Sequence, residues 1–204
     1  MKRIFSVVFA TVAILAIAAP ANARGRHPQQ QAQPDFQVDD SPSFANFFSN
    51  FGTSSGSGPI PRTVVSIDTR YAPGTIIVNT AERRLYLVQS NGQALRYGIG
   101  VGRDGFRWGG VHRITAKKEW PSWTPPSQML ARRPDLPRHM EGGIDNPLGA
   151  RAMYLGSTLY RIHGSNEPET IGQAVSSGCF RMTNEDVTDL YNRVSVGATV
   201  IVKN

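Results

Sequence analysis

The feature that most constrains the fold is a series of short apolar segments with strand-like alternation, running from Thr63 to the C-terminus. The segments RRLYLVQS and ALRYGIGV flank Asn91 and Gly92, a dipeptide typical of a tight hairpin turn. The other strand candidates are TVVSI, GTIIVNT, GVHRITAKKEW, ARAMYLG, TLYRIHG and ATVIVK. Many short strands separated by Gly and Pro turns predict a mostly β fold, a sandwich or barrel.

One helix is predicted near the C-terminus. Thr183 with Asp186 resembles a capping box, which marks the start of a helix. The apolar residues that follow recur at i, i+3, i+4 and i+7, namely Val187, Leu190, Tyr191 and Val194. The expected fold is therefore mostly β, a sandwich or barrel with one or two short helices, and this helix packs on the sheet.

Residues 1–23 have the layout of a secretory signal. Lys2 and Arg3 precede an apolar run over 4–19, and small residues end at Ala23. The run is short for a membrane span, which needs about 20 apolar residues. Cleavage after Ala23 and export to the periplasm are expected, with a retained anchor as the alternative.

A Gln, Pro, Ser and Gly-rich segment over 24–62 predicts a disordered linker. Four of its phenylalanines have helix-like spacing that would suit docking to a partner, or they are isolated apolar residues in a linker: Phe44, Phe47, Phe48 and Phe51. Residues 63–204 are enough for one domain with its own core.

The chain is basic, with a formal net charge of +7, and removal of Lys2 and Arg3 with the signal leaves +5. A basic exported protein suits anionic partners such as wall polymers or lipid headgroups. The same charge would suit nucleic acid, but the export signal argues against that class of partner.

The chemistry centres on Cys179, the one cysteine of the chain. A lone thiol in an exported protein is either reactive or a buried, inert side chain. His163 lies sixteen positions earlier, where an imidazole could take the thiol proton, although a histidine in this position could also belong to the core. The predicted helix start after Cys179 would favour the thiolate.

The neighbours of these two residues suggest further roles. The missing side chain of Gly178 would let the N–H groups of Gly178 and Cys179 form an oxyanion hole. The carbonyl of Gly164 could hold one ring nitrogen of His163 as N–H and leave the other free. Arg181 would share a face with Cys179 and orient a substrate carboxylate, or form a surface ion pair.

The segment IHGSNEPETIGQAVSSGCFRMTNEDVTDLY resembles the signature of the YkuD-type L,D-transpeptidase catalytic domain. The similarity extends upstream through GTIIVNTAERRLYLV, YGIGVGRDGFRWGG, KKEWPSWTPP and NPLGARAMYLG, and so covers the chain from Gly74 onward. It implies a β-sandwich with the cysteine in a cleft. Many relatives have His where this chain has Ser177.

The resemblance implies that Cys179 is the nucleophile, His163 the base and Gly164 its orienting group, while Ser176 and Arg181 line the site. We also place Ser177 among the substrate-binding residues. The implied reaction cleaves a peptidoglycan tetrapeptide after its third residue, releases D-alanine and leaves a thioester. An acceptor amine resolves it, from diaminopimelate on another stem or from an envelope protein. No metal or organic cofactor is implied, and a monomer is expected.

Trp120 and Trp123, with the prolines beside them, form an aromatic segment that could wall a groove and shield a thioester from water. The alternative is a loop that covers the edge of the core.

Five other interpretations differ from this one in the acceptor, the order of Cys and His, the residues around the cysteine, the reactivity of the thiol or the spacing of possible metal ligands. Carboxypeptidase trimming would use the same residues with water as the acceptor. Papain-like peptidases place Cys before His, and sortases differ around the cysteine. A non-catalytic wall-binding module would bury Cys179 against alkylation, whereas a thiolate paired with His163 would be labelled near neutral pH. The four histidines with one cysteine lack the short paired spacings of a zinc site.

Overall fold

The computed structural model describes residues 37–39 and 58–204, which lie in one compact unit. The strands are β1 Gln37–Asp39, β2 Thr63–Asp68, β3 Ile76–Asn79, β4 Arg84–Val88, β5 Gln93–Gly98, β6 Val101–Gly102, β7 Gly110–Glu119, β8 Arg151–Leu155, β9 Arg161–His163, β10 Ala174–Ser176, β11 Phe180–Arg181 and β12 Thr199–Lys203. The helices are α1 Ser127–Arg132 and α2 Asn184–Arg193, with a 3-10 turn at Pro168–Thr170. The predicted mostly β class with short helices is confirmed.

Ten of these strands form one continuous sheet, in the order β1-β2-β5-β4-β3-β12-β7-β8-β9-β11, and β10 pairs with β6 beside it. The sheet has two halves, one from β1 to β12 in this order and the other from β8 to β11. Strand β7 joins them, because its first residues pair with β12 and its later ones with β8. A register shift between Ile114 and Ala116 marks an irregularity there, and bulges of this kind bend a strand. Residues from both halves, including Ile76 and Met153, pack into one core.

Strict alternation along β3 and β4 divides their side chains between two apolar clusters. Ile76 and Val78 belong to the main core, whereas Ile77 between them belongs to a second cluster on the other face. This follows from the period of two in a strand. Asn91 and Gly92 both have positive φ, 60° and 66°, as a tight hairpin between β4 and β5 requires. The hairpin prediction is confirmed.

Helix α2 begins as the sequence predicts. Thr183 is the N-cap, and its side chain accepts a hydrogen bond from the Asp186 N–H at 3.1 Å. Val187 and Leu190 are fully buried in the main core. At the other end, Lys117 Nζ donates to two carbonyls of the last turn at 2.6 Å each, which stabilises the helix C-terminus.

Part of the predicted linker is ordered on the domain. Strand β1 pairs antiparallel with β2, and Arg62 is 7% exposed and forms ion pairs with Asp186 and Asp189 at 3.2 and 3.3 Å. An edge strand is held by hydrogen bonds between backbones, which side-chain composition does not reveal. The composition of 24–62 therefore did not predict β1. Residues 1–23 and the four phenylalanines of the linker lie outside the described residues. Within the described part, no helix is long and apolar enough to cross a membrane.

Candidate active site

The site is created by the parallel pairing of β9 with β11, in which Phe180 lies opposite Ile162 and Arg181 opposite His163. Ile162 and Phe180 are buried in the main core. Because side chains alternate along a strand, Arg161, His163 and Arg181 point to the other face. That face borders a cleft of about 1130 Å³, whose lining includes these three residues and Cys179.

His163 is held as a neutral imidazole. Its Nδ1–H donates to the Gly164 carbonyl at 2.6 Å, and because a carbonyl only accepts, the proton is assigned to Nδ1 and Nε2 can accept. Burial lowers the pKa of His163 to about 3, the hydrogen bond to Gly164 opposes this, and the charges of Arg181 and Arg161 lower it further.

Gly164 and Gly149 are glycines because Asn184 approaches them closely. A Cβ on Gly164 would lie 2.3 Å from Asn184 Oδ1, and one on Gly149 would lie 2.2 Å from the same atom. That oxygen accepts the Ala150 N–H at 2.8 Å. The backbone after His163 is therefore locked against the first turn of α2.

Cys179 is partly exposed through the cleft, but protein atoms crowd its sulfur, and Sγ lies 3.9 Å from the Leu159 carbonyl oxygen. Burial raises the pKa of the Cys179 thiol, while the charge of Arg161, and hydrogen bonds from its main chain and guanidinium, lower it less strongly. The resting pair is a thiol with a neutral imidazole. This differs from the thiolate expected near neutral pH, because burial disfavours both charged forms.

The turn before Cys179 is held by side chains on both sides. Gly178 has a φ of 109° and its N–H donates to Ser176 Oγ at 3.1 Å, while the Ser176 hydroxyl donates to the Cys179 carbonyl at 2.6 Å. The Gly178 N–H is thus hydrogen-bonded to Ser176, whereas the sequence-based expectation has it donate to an oxyanion. Ser176 lines the cleft but is only 3% exposed, and its hydroxyl supports the turn from within.

Trp108 is a part of the site that the sequence analysis missed. Its Nε1–H donates to the Gly178 carbonyl at 2.6 Å, and its ring stacks on Tyr160 with centroids 4.4 Å apart. A Cβ on Gly178 would lie 2.4 Å from Tyr160 Cε1. The turn at Gly178 and Cys179 therefore fits against an aromatic stack from two distant segments, and no local pattern could have indicated it.

Arg181 lies at the cleft and also forms an ion pair, one of the two roles that the sequence left open. It lines the cleft, and its Nη1 forms an ion pair with Glu167 Oε2 at 2.8 Å. Its backbone exchanges two hydrogen bonds of 2.9 Å with Gly100. The ion pair reduces the charge that Arg181 can offer to a substrate.

The predicted aromatic wall is only partly formed. Trp123 lines the cleft, and its backbone pairs with Met140 at 2.8 Å in both directions. Trp120 is not among the lining residues; it is 45% exposed with a φ of 39°. Ser177 does line the cleft. In the described ranges, no group of three His, Cys, Asp or Glu residues could hold a metal ion.

Arg161 is the second residue that sequence reasoning missed. It lies two positions before His163 in β9, so the alternation of the strand TLYRIHG could have placed it on the same face. Its guanidinium lies over the Tyr154 ring, 5.2 Å from the centroid, and donates to the Leu159 carbonyl at 3.1 Å. Of the groups that lower the thiol pKa, Arg161 has the largest effect.

Comparisons with known proteins agree with this geometry. Residues 73–202 match the family model of the L,D-transpeptidase catalytic domain. The protein named probable L,D-transpeptidase YbiS, from Escherichia coli, is 37% identical over 150 residues, which cover 69% of this chain and 47% of that protein. The chain spans about half the length of the curated relatives it matches.

Solved structures show the same fold at low sequence identity. L,D-transpeptidase 3 from Mycobacterium tuberculosis is 15% identical, with a TM-score of 0.54 over 70% of this chain and 69% of that one. An L,D-transpeptidase from Mycobacterium smegmatis is 16% identical, with a TM-score of 0.53 over 70% and 67%.

Gly178→Ala should disrupt the turn that carries Cys179. The positive φ costs about 1–3 kcal/mol for a residue with a side chain, and the new Cβ would push Tyr160 off Trp108. Gly74→Ala is the control, because Gly74 has a φ of 87° with no atom near the added Cβ. Urea unfolding should show the larger loss for Gly178→Ala, and iodoacetamide labelling of Cys179 should change in that variant alone. Equal effects of the two substitutions would contradict the close fit.

The imidazole of His163 should stay neutral over the whole working pH range. Its native pKa of about 3 lies below the ordinary value of 6.5, so between these values the unfolded chain binds the extra proton. Stability should therefore fall as pH drops from 6.5 towards 3, and His163→Gln should flatten that slope. Ring NMR signals against pH, with urea unfolding at each pH, make the measurement. A ring that titrates near 6.5 would show the burial argument to be wrong.

Proposed function

Because the chain belongs to the L,D-transpeptidase catalytic-domain family, we propose that it transfers acyl groups on peptidoglycan peptide stems with Cys179 as the nucleophile and His163 as the base. The observation that carries this proposal is the β9–β11 register, which brings both side chains to one cleft. His163 presents Nε2 as an acceptor because Gly164 holds Nδ1–H.

In the proposed acylation, the Cys179 proton moves to His163 Nε2 as sulfur attacks the carbonyl carbon of the third stem residue. A C–S bond forms, the peptide C–N bond breaks, and the leaving D-alanine amine takes the proton from the imidazolium. An acceptor amine then attacks the thioester and gives its proton to His163, which returns one to the sulfur. Neutral starting groups suit this cycle, since the proton moves only when a substrate supplies the reacting carbonyl.

The oxyanion of the tetrahedral intermediate is assigned to the Cys179 N–H, since the Gly178 N–H is engaged by Ser176. Arg161 is proposed to stabilise the sulfur of Cys179 in its charged form, because its charge and hydrogen bonds favour the thiolate that develops during proton transfer. Ser177, Arg181 and Trp123 are proposed to contact the peptide. Ser176 is proposed to act on the turn, and Trp120 is placed outside the cleft.

The proposed acceptor is an amine, from a second stem in a 3-3 cross-link or from an envelope protein. Trimming by water is the second candidate, because it needs the same Cys179 and His163. A non-catalytic wall-binding module remains the contrasting case for the experiment below. The same proposal covers the organisation and location of the chain. It includes a cleaved signal over 1–23, a linker over 24–62, a catalytic domain over 63–204, a periplasmic location and a monomeric state. No nucleic-acid partner is proposed.

Intact-mass spectrometry of the protein incubated with a disaccharide tetrapeptide, and separately with a carbapenem, should show an adduct on Cys179. Cys179→Ala should form none, since it has no nucleophile. His163→Ala should slow acylation by about 10²- to 10⁴-fold, the usual contribution of a general base. Circular dichroism of each variant controls for loss of fold.

The products separate the candidate reactions. A cross-linked dimeric muropeptide supports transpeptidation, whereas adduct with shortened monomer alone indicates trimming or a missing protein acceptor. A folded, reduced wild-type protein that forms no adduct would favour the wall-binding module. Turnover by Cys179→Ala would exclude the mechanism.

Arg161→Gln should raise the pKa of the Cys179 thiol further, because the charge and the guanidinium hydrogen bond that oppose burial are lost. The rate of iodoacetamide labelling against pH should shift to higher pH, with slower labelling at pH 7. Arg161→Lys should fall between, since the charge remains and the planar fork is lost. Arg113→Gln, an exposed residue outside the cleft lining, is the control. An unshifted profile in Arg161→Gln would assign Arg161 a packing role only.

A further inference from the structure

Two arginines at the cleft rim share one aromatic ring. Arg103 Cζ lies 4.8 Å from the centroid of Phe106, and Arg132 Cζ lies 5.1 Å from the same centroid. All three side chains line the cleft that contains Cys179. We propose that this cluster, named here the arginine clamp, binds a carboxylate of the peptide substrate, an inference that rests on the proposed function.

The clamp stands at a fixed position relative to the nucleophile. Arg103 follows β6, which pairs with β10, and its N–H donates to the Ser176 carbonyl at 3.1 Å. The Phe106 N–H closes the turn onto the Arg103 carbonyl at 2.9 Å. A Cβ on Gly102 would lie 2.4 Å from the Phe106 oxygen and 3.2 Å from Gly178 Cα. The turn that carries the ring is therefore packed directly against the turn that carries Cys179.

The charges of the clamp are not neutralised within the described residues. Arg133 is paired with Asp135, Arg181 with Glu167 and Arg107 with Asp104. Over the described ranges, neither Arg103 nor Arg132 has a carboxylate within ion-pair distance. Both side chains are exposed, so the unpaired cations face solvent at the mouth of the cleft.

Two guanidinium groups held on one ring repel each other until an anion lies between or beside them. Stacking on Phe106 supplies part of the stabilisation and limits their rotation. Planar guanidinium groups match the two oxygens of a carboxylate, which a point charge such as Lys does not. The ligand class that fits is therefore a peptide carboxylate, and a tetrapeptide stem offers one at its C-terminus and one on the diaminopimelate side chain.

Binding of the tetrapeptide stem to full-length protein carrying Cys179→Ala tests the clamp without turnover. When Arg103→Gln or Arg132→Gln is introduced as a second substitution, calorimetry should give a dissociation constant about ten- to a hundredfold higher. This is the usual effect of losing a hydrogen bond to a charged group. The same stem with its carboxylates amidated should bind the parent and both variants alike. Arg107→Gln, in the same turn but paired with Asp104 and outside the cleft lining, should change the constant by less than about fivefold.

Three results would overturn the clamp: unchanged binding of the acidic stem in both variants, an equal loss for the amidated stem, or an equal loss in Arg107→Gln. The wild-type background separates this from the proposed reaction. Carboxylate-dependent binding with no acylation of Cys179 would keep the clamp and reject the reaction. Acylation of Cys179 and resolution of the thioester that are both independent of Arg103 and Arg132, at every donor and acceptor concentration, would keep the reaction and reject the clamp.

The wild-type reaction also identifies which stem supplies the carboxylate. If the donor stem does, Arg132→Gln should raise the donor concentration needed for half-maximal acylation of Cys179. If the acceptor stem does, acylation should be unchanged, and the variant should raise the acceptor concentration needed to resolve the thioester. Either dependence supports the clamp, and the absence of both rejects it.

Discussion

The parallel pairing of β9 with β11 is the constraint on which the site depends. Its register sends Ile162 and Phe180 into the core and leaves His163 and Cys179 at the cleft. Neighbouring strands lie about 4.8 Å apart and two residues of strand span about 6.6 Å, so the backbones of His163 and Cys179 occupy diagonal positions across the strand pair. A slip of one residue in either strand would bury the chemistry and expose the core. The same strand register therefore determines both the packing of the core and the geometry of the site.

Burial outweighs positive charge in setting the protonation of the resting pair. Complete burial can shift a pKa by up to about 3–5 units, whereas one nearby charge shifts it by about 1–3. For His163, burial and the two arginines act in the same direction, towards the neutral ring. For Cys179 they act in opposite directions and burial has the larger effect. Arg161 thus moderates the cost of forming a thiolate without producing one at rest.

Local patterns predicted local features well. The positive φ values of Asn91 and Gly92 and the Thr183 cap of α2 depend on neighbours in sequence, and the strand alternation is visible in the residues themselves. The neutral thiol depends on burial and the Trp108 contact with Gly178 joins segments 70 residues apart, which no spacing reveals. The Gly178 N–H is engaged by Ser176 two positions earlier, and this contact depends on how the turn folds. The short strand β1 is held by backbone pairing, so its side chains gave no indication of it.

A sulfur kept as a thiol in the cleft is also shielded from oxidation. Peroxides and disulfides react with the thiolate form, and oxidation beyond the sulfenic acid is largely irreversible. With one cysteine in the chain, no second thiol could trap a sulfenic acid as an internal disulfide. The burial that raises the thiol pKa of Cys179 therefore protects the proposed nucleophile from oxidation, at the expense of some intrinsic reactivity.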